Sequence, residues 1–124
     1  MILQVHSIFR WVVVIVGIVT LVKLILAIAQ KSPFTRLDRI LTMLFSTSVD
    51  IQILLGVITI FALGFSLARL EHAFVTILAL VAVHLPMRWR KAPDAVRFRN
   101  TLICFVAALV LIFIGVAMVN GWVA

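Results

Sequence analysis

Four long, mostly apolar stretches follow one another along this 124-residue chain, and each is long enough to cross a bilayer. They cover about residues 5–29, 37–63, 70–87 and 98–119. Inside hydrocarbon a backbone must satisfy its own hydrogen bonds, so each stretch is predicted to be an α-helix. The sequence therefore predicts an all-α, integral membrane four-helix bundle that forms a single domain over residues 1–124. Trp122 is predicted to be an interfacial aromatic that closes the last helix.

The composition excludes a soluble domain. Hydrophobic residues make up 65% of the chain and charged residues 12%, whereas soluble domains contain about 45–50% apolar and about 25% charged residues. The net charge of +7 does not indicate nucleic acid, because nucleic-acid binding needs a basic face on a soluble fold. Here the charges lie between the apolar stretches, so the expected surroundings are membrane lipid. Cys104 is the single cysteine and cannot form an intrachain disulfide.

The positions of the 11 Lys and Arg residues predict the orientation of the chain. Only Arg10 and Arg69 fall on one predicted side of the membrane. The opposite side holds Lys23, Lys31, Arg36, Arg39, Arg88, Arg90, Lys91, Arg97 and Arg99. Because basic loops remain in the cytoplasm, both termini are predicted to be on the outer, non-cytoplasmic side. His6 and His72 then lie at the outer surface, and His84 lies near the cytoplasmic one.

The three histidines cannot all share one site. His72 and His84 are twelve residues apart on one predicted helix, which is about 18 Å along its axis. His6 and His72 can meet if the first and third helices are neighbours or face each other across the bundle. Two imidazoles from facing helices are a common way to hold haem b. We therefore expect one haem b near the outer surface, with His6 and His72 as its iron ligands. The alternative is that both histidines are interfacial polar residues at helix ends.

Charged residues near these two histidines suit a haem. Arg10 and Arg69 are the only basic residues predicted at that surface, and they can bind the two anionic propionates. Glu71 directly precedes His72 and can accept a hydrogen bond from an imidazole N–H, which fixes the tautomer of a ligand histidine. These three side chains are therefore included in the predicted haem site.

Small residues on the same helical stripes can leave room for a flat ligand. Gly17 lies on the stripe of His6, while Thr76 and Ala79 lie on the stripe of His72. In a membrane bundle, small residues can equally serve close packing between helices. We include Gly17, Thr76 and Ala79 in the predicted cofactor site, with close packing as the alternative.

Short motifs in three of the helices resemble a known family, the small four-helix bacterial membrane proteins of the cytochrome b or cytochrome b561-like type. The motifs are His6-Ser7-x-x-Arg10-Trp11, Gln52-x-Leu54-Leu55-Gly56, Glu71-His72 and His84. The resemblance covers most of the chain. It implies a b-type haem protein of the bacterial inner membrane that transfers electrons, exchanges them with quinone or other redox membrane proteins, and can be a component of a quinone-linked oxidoreductase.

The chain departs from this family at one position. Members that hold two haems need four ligands and have a histidine inside the second helix, where this chain has Asp50. With three histidines, a second bis-histidine haem cannot be built. One haem is therefore expected, and His84 is left without an assigned role.

Asp50 is an ionisable residue in the middle of a predicted span. It lies eleven residues beyond Arg39, or about 16 Å deep, near the centre of a hydrocarbon core about 30 Å thick. Such a group usually faces the bundle interior and marks a functional path. Asp50 can be protonated and pair with Ser46 or Thr47, or it can relay protons between His84 and a quinone.

His84 has several open interpretations. It lies one turn before Arg88 and can be solvated, or bonded to a backbone carbonyl that Pro86 leaves free. The functional alternatives are a proton acceptor beside a quinone pocket and a single axial haem ligand opposite Met43 or Met87.

Two further functions stay open. The chain can be a cofactor-free accessory subunit of a larger respiratory or photosynthetic complex, or a homo-oligomer, with basic loops on anionic lipid. A zinc or copper site of His6, His72 and Glu71 would need a further ligand. The chain has no Cys-x-x-Cys-His motif, glycine-rich phosphate loop or nucleophile elbow. Covalent c-type haem, nucleotide chemistry and serine hydrolysis are therefore not expected.

Overall fold

A computed structural model describes residues 2–119, with side chains from Leu3 onward. Its helices are α1 (Ile2–Ala29), α2 (Arg36–Leu63), α3 (Leu67–His84) and α4 (Asp94–Met118), and a short 3-10 helix spans Leu85–Trp89. All four α-helices are long and apolar enough to cross a membrane, and no β-strand occurs among the described residues. The predicted all-helical fold, with four helices long and apolar enough to be membrane spans, is therefore confirmed, whereas Trp122 lies outside the described residues.

Local sequence explains where the helices begin and end. Ser66 caps α3, because its hydroxyl accepts a hydrogen bond from the Arg69 backbone N–H at 3.2 Å. Pro86 cannot donate a backbone hydrogen bond, and the chain changes from α to 3-10 geometry at Leu85. The fourth helix begins at Asp94, earlier than the predicted residue 98, since Pro93 precedes it and the Asp94 carboxylate suits a helix N-terminus.

The four helices form an antiparallel ring. Helix α1 packs against α2 and α4, and α3 also packs against α2 and α4, so α1 and α3 face each other across the bundle. One end contains the start of α1, the α2–α3 connection and the end of α4, and we call it the terminal end. The opposite end contains the α1–α2 and α3–α4 connections, and we call it the basic end.

Aromatic and small residues fill the centre of the bundle. Phe45 and Phe105 are fully buried and meet edge to face, with ring centroids 4.9 Å apart. Gly17 allows α1 to approach them, because a Cβ atom at this position would lie 2.8 Å from Phe45 and 2.9 Å from Leu109. Gly17 therefore serves helix packing in the core.

An ion pair between the partly exposed Lys23 and the buried Asp38 joins α1 to α2 at the basic end. The Lys23 ammonium donates to Oδ1 of the fully buried Asp38 at 2.7 Å. The other oxygen of Asp38 accepts from the backbone N–H and the hydroxyl of Thr35, at 2.8 and 2.9 Å. One carboxylate thus satisfies the start of α2 and neutralises a lysine that would otherwise face an apolar interior.

Replacing Asp38 should destabilise the bundle more than removing the Thr35 hydroxyl. Asp38→Asn leaves the Lys23 charge unpaired and is expected to lower the free energy of unfolding by about 3 kcal/mol. Thr35→Ala removes one hydrogen bond and should cost about 1 kcal/mol. Adding Lys23→Met to Asp38→Asn should recover part of the loss, because it removes the unpaired charge. Equilibrium unfolding in detergent measures all four proteins, and equal losses for the two single variants would contradict the ion pair's role.

Candidate functional site

A cavity of about 410 Å³ lies at the terminal end, between α1 and α3. Its volume falls in the range of small-molecule and cofactor pockets, about 300–1,000 Å³. Five predicted site residues line it: His6, Arg10, Arg69, His72 and Thr76. The remaining wall is largely apolar and includes Val49, Ile53, Ile60, Ile77, Ile112 and Val116. The cavity therefore brings together the two histidines that the charge distribution placed on one side of the membrane.

His72 is oriented by the backbone of α4. Its Nδ1 lies 2.5 Å from the Gly115 carbonyl oxygen, which can only accept a hydrogen bond. Nδ1 therefore carries a proton, and in the neutral imidazole Nε2 then has the lone pair that can bind a metal. Gly115 permits this close approach, because a Cβ atom there would lie 3.2 Å from the Thr76 methyl group and 3.5 Å from Nδ1. The Thr76 methyl group forms part of the same contact between α3 and α4.

His6 lies against α2. Its backbone carbonyl accepts a hydrogen bond from Nε2 of Gln52 at 2.9 Å. Its ring lies over Gly56, where a Cβ atom would come within 3.3 Å of the imidazole Cε1. The His6 Nδ1 atom is buried, and no residue of the described part of the chain forms a hydrogen bond with it. One face of α2 thus holds His6 through a side-chain amide and makes room for its ring with a glycine.

Two arginines lie at the cavity, as the sequence predicts for a site that binds propionates. The Arg10 guanidinium is 5.8 Å from the centroid of the Trp11 ring, within the range of a cation–π contact. Arg69 donates through Nη1 to the carbonyls of Leu63 and Gly64, at 3.2 and 3.0 Å. These two hydrogen bonds anchor Arg69 to the end of α2. The guanidinium also carries N–H donors on Nε and Nη2, so its geometry suits an anion at the cavity mouth.

Three residues that the sequence grouped with this site lie elsewhere. Glu71 is exposed and does not line the cavity, and the Gly115 carbonyl is the acceptor that orients His72. Gly17 is packed against Phe45 and Leu109, and Ala79 is fully buried in the core. Gly17 and Ala79 therefore allow the helices to pack closely, which was the alternative explanation for these small residues.

Gln52 and Gly56 line the cavity but were absent from the residues that the sequence assigned to the site. They are four positions apart on α2, so they lie on one face of the helix. The family-like motif Gln52-x-Leu54-Leu55-Gly56 contained both residues. Their contact with His6 depends on how α2 is rotated, and periodicity alone does not determine that rotation.

A second cavity, of about 240 Å³, lies nearer the basic end between α2, α3 and α4. Asp50 and His84 meet at this cavity, with Oδ1 2.6 Å from Nε2. The Ser46 hydroxyl donates to backbone carbonyls, that of Val83 among them, and does not bind Asp50. Met43, Met87, Thr47 and Arg97 also line the space. The two residues predicted to act in a proton relay are thus direct partners.

The described residues contain no group of three or more His, Cys, Asp and Glu side chains that could hold a metal ion. The alternative zinc or copper site of His6, His72 and Glu71 is therefore not formed in this part of the chain. A haem needs only two axial ligands from the protein, and the site offers two imidazoles. The orientation of His72 and the largely apolar cavity that both histidines line fit such a group. No family model, curated protein or solved structure matches this chain.

The hydrogen bond to Gly115 predicts the tautomer of His72. In protein with ¹⁵N-labelled histidine, the neutral form of the His72 ring should carry its proton on Nδ1, because the carbonyl oxygen cannot donate. Long-range ¹H–¹⁵N NMR correlations distinguish the two tautomers, and the signals missing from a His72→Gln sample assign the ring. A proton on Nε2 in the cofactor-free protein would contradict the arrangement seen here.

Proposed function

We propose that this chain is a membrane cytochrome that holds one b-type haem between His6 and His72 and transfers electrons within the membrane. The observation that carries the proposal is the cavity between α1 and α3, where both histidines and both terminal-end arginines lie together. The His72 tautomer adds support, because a histidine whose Nδ1–H is bound to a carbonyl presents Nε2 to a metal.

Each group of cavity residues has a distinct part in this function. A haem supplies one-electron transfer at its iron, and the two imidazoles would be the axial ligands. Arg10 and Arg69 would bind the propionates and neutralise their charge. The apolar wall excludes water, and a low dielectric around the iron strengthens the electrostatic effect of nearby charges on its potential. Thr76 donates to the Ala73 carbonyl at 3.0 Å, so its methyl group remains directed at Gly115.

The proposal includes an orientation and a location. Most of the Lys and Arg residues lie at the basic end, which the positive-inside rule assigns to the cytoplasm. The histidine cavity and both chain termini would then be on the outer side. By its resemblance to the cytochrome b561-like family, the chain would belong to the bacterial inner membrane. There it would act as a component of an oxidoreductase.

Quinone is the redox partner that we propose, and the second cavity supports it. Oxidation of a hydroquinone to a quinone releases two electrons and two protons, so the chain needs a proton acceptor within the membrane. Asp50 and His84 form a hydrogen-bonded pair at a cavity that Arg97 and Thr47 also line. The pair can accept one proton at a time and return it to water at the basic end.

An absorption spectrum of the purified protein tests the haem. The reduced protein should show a Soret band and the sharp visible bands of a low-spin b-type haem. His6→Ala and His72→Ala should each abolish or convert the low-spin signal, because each removes an axial ligand. His84→Ala is the matched control and should keep the spectrum, since His84 lies at the other cavity. Protein that stays colourless after haem supplementation would contradict the proposal and favour the alternative function, a cofactor-free subunit of a larger complex.

Loss of the Asp50–His84 pair should slow electron exchange with a quinol. Asp50→Asn and His84→Gln should each reduce the rate of haem reduction by a soluble quinol about a hundredfold, which is typical for loss of acid–base assistance. Reduction by dithionite needs no proton acceptor and should be unchanged. Thr47→Val, in the same cavity, is the control without a titratable group. Unchanged quinol rates in both variants would remove the pair from the reaction.

A further inference from the structure

We propose that Gln52 is the positioning residue for His6. Its carboxamide would hold the His6 backbone carbonyl through Nε2 and the His6 ring through Oε1, so that Nε2 of the imidazole is the nitrogen available to a metal. As a statement about haem ligation this rests on the proposed function. As a statement about the tautomer of His6 it does not.

The inference rests on two buried atoms without hydrogen-bond partners, one on Gln52 and one on His6, two residues that another hydrogen bond already joins. The Gln52 amide already donates to the His6 carbonyl at 2.9 Å, which ties α2 to α1. Oε1 of Gln52 and Nδ1 of His6 are both buried, and neither has a hydrogen-bond partner within residues 2–119. An amide oxygen is an acceptor, and Nδ1 is a donor in one of the two neutral tautomers. Buried polar atoms normally have partners, so these two complement each other.

The two bonds would use the two ends of one carboxamide. Oε1 and Nε2 of Gln52 share one carbon atom, and their two counterparts, the carbonyl oxygen and Nδ1, belong to one residue. The inference requires a rotation of the imidazole about its side-chain torsions that brings Nδ1 to Oε1 while the bond from Gln52 Nε2 to the carbonyl remains. The structure already contains one half of this two-point contact.

Gly56 provides the space for the ring in this arrangement. It lies one turn beyond Gln52 on the same face of α2, and the Cε1 and Nε2 atoms of His6 are 3.3 and 3.8 Å from where its Cβ would be. A side chain here would push the ring away from Gln52. In the proposed arrangement the Gln52–Gly56 pair would have the same role for His6 that Gly115 has for His72. An oxygen would accept the hydrogen bond from Nδ1–H, and a glycine makes room for the ring.

A purely structural role for Gln52 makes a different prediction. If Gln52 only ties α1 to α2 through Nε2, then Gln52→Glu and Gln52→Leu both lose that donor and should behave alike. If Oε1 also binds the ring, Gln52→Glu keeps an acceptor for Nδ1–H, whereas Gln52→Leu keeps nothing. The two variants therefore separate the positioning role from the structural one.

The first experiment needs no haem. In cofactor-free protein with ¹⁵N-labelled histidine, the His6 ring should carry its proton on Nδ1 in the wild type and in Gln52→Glu. Gln52→Leu should give a mixture of tautomers or the Nε2–H form. His72, which is held by Gly115, is the internal control and should not change. A wild-type His6 with its proton on Nε2, or a His6 tautomer unaffected by Gln52→Leu, would overturn the inference. If Gln52→Leu does not fold, the wild type and Gln52→Glu decide the question through the same signal.

The second experiment uses the haem-loaded protein. Loss of a second partner that orients a ligand histidine typically lowers metal affinity 10–100-fold. Gln52→Leu should therefore weaken haem binding by about that factor and raise the midpoint potential, because an imidazole without an acceptor is a poorer electron donor. Gln52→Glu should lower the potential and largely retain haem. Ser48→Ala, which removes another buried polar group of α2 that does not line the cavity, should leave both unchanged. Shifts of the same sign in both Gln52 variants would indicate a structural role only.

The two experiments also distinguish this inference from the proposed function. Protein that binds no haem but shows the expected His6 tautomers would sink the cytochrome and leave Gln52 as the residue that orients His6. Protein that binds haem but whose His6 tautomer is unaltered in Gln52→Leu would support the cytochrome and overturn the role of Gln52.

Discussion

The register of α1 against α2 is fixed by polar contacts at three depths, and the histidine cavity depends on it. Lys23 pairs with Asp38 near the basic end, the Thr20 hydroxyl donates to the Leu41 carbonyl at 3.3 Å farther along, and Gln52 binds the His6 carbonyl near the terminal end. Polar groups in an apolar interior are costly when unpaired. A slip of one residue would break all three contacts together, so the ring of His6 is held opposite Gly56.

The sequence predicts the fold and the meeting of His6 with His72 for simple physical reasons. Length and apolarity determine the spans, and charge distribution determines which helix ends share a surface. Helical periodicity, which assigns residues to one face of a helix, is less informative about which residues line the site. Gly17 shares a stripe with His6 but lies eleven residues away, about 16 Å along α1, and Ala79 lies about 10 Å from His72. Each residue lies on the same helical face as the histidine of its own helix, but at a depth that the cavity does not reach.

A single sequence does not reveal which residues on other helices form hydrogen bonds with the site residues. His72 finds its acceptor in Gly115, 43 positions later, and the adjacent Glu71 remains exposed. Asp50 and His84 were given different depths, one near the bilayer centre and the other near the headgroups, yet they are in direct contact. The 3-10 geometry after His84 rises about 2.0 Å per residue, compared with 1.5 Å in an α-helix. It therefore places Arg88 only about 2 Å farther from His84 along the axis, which accounts for a small part of the difference.

The two histidines are not equally prepared to bind a ligand. His72 has one ring nitrogen fixed by a carbonyl, so ordering its other nitrogen costs little rotational freedom on binding. The His6 ring has a glycine beside it but no hydrogen bond at Nδ1 within the described residues. A ligand held between two imidazoles is oriented only as well as the less constrained of the two. If the proposed haem binds here, its affinity and potential would therefore depend most on the α1–α2 side of the cavity, where Gln52 is the polar group that already contacts His6.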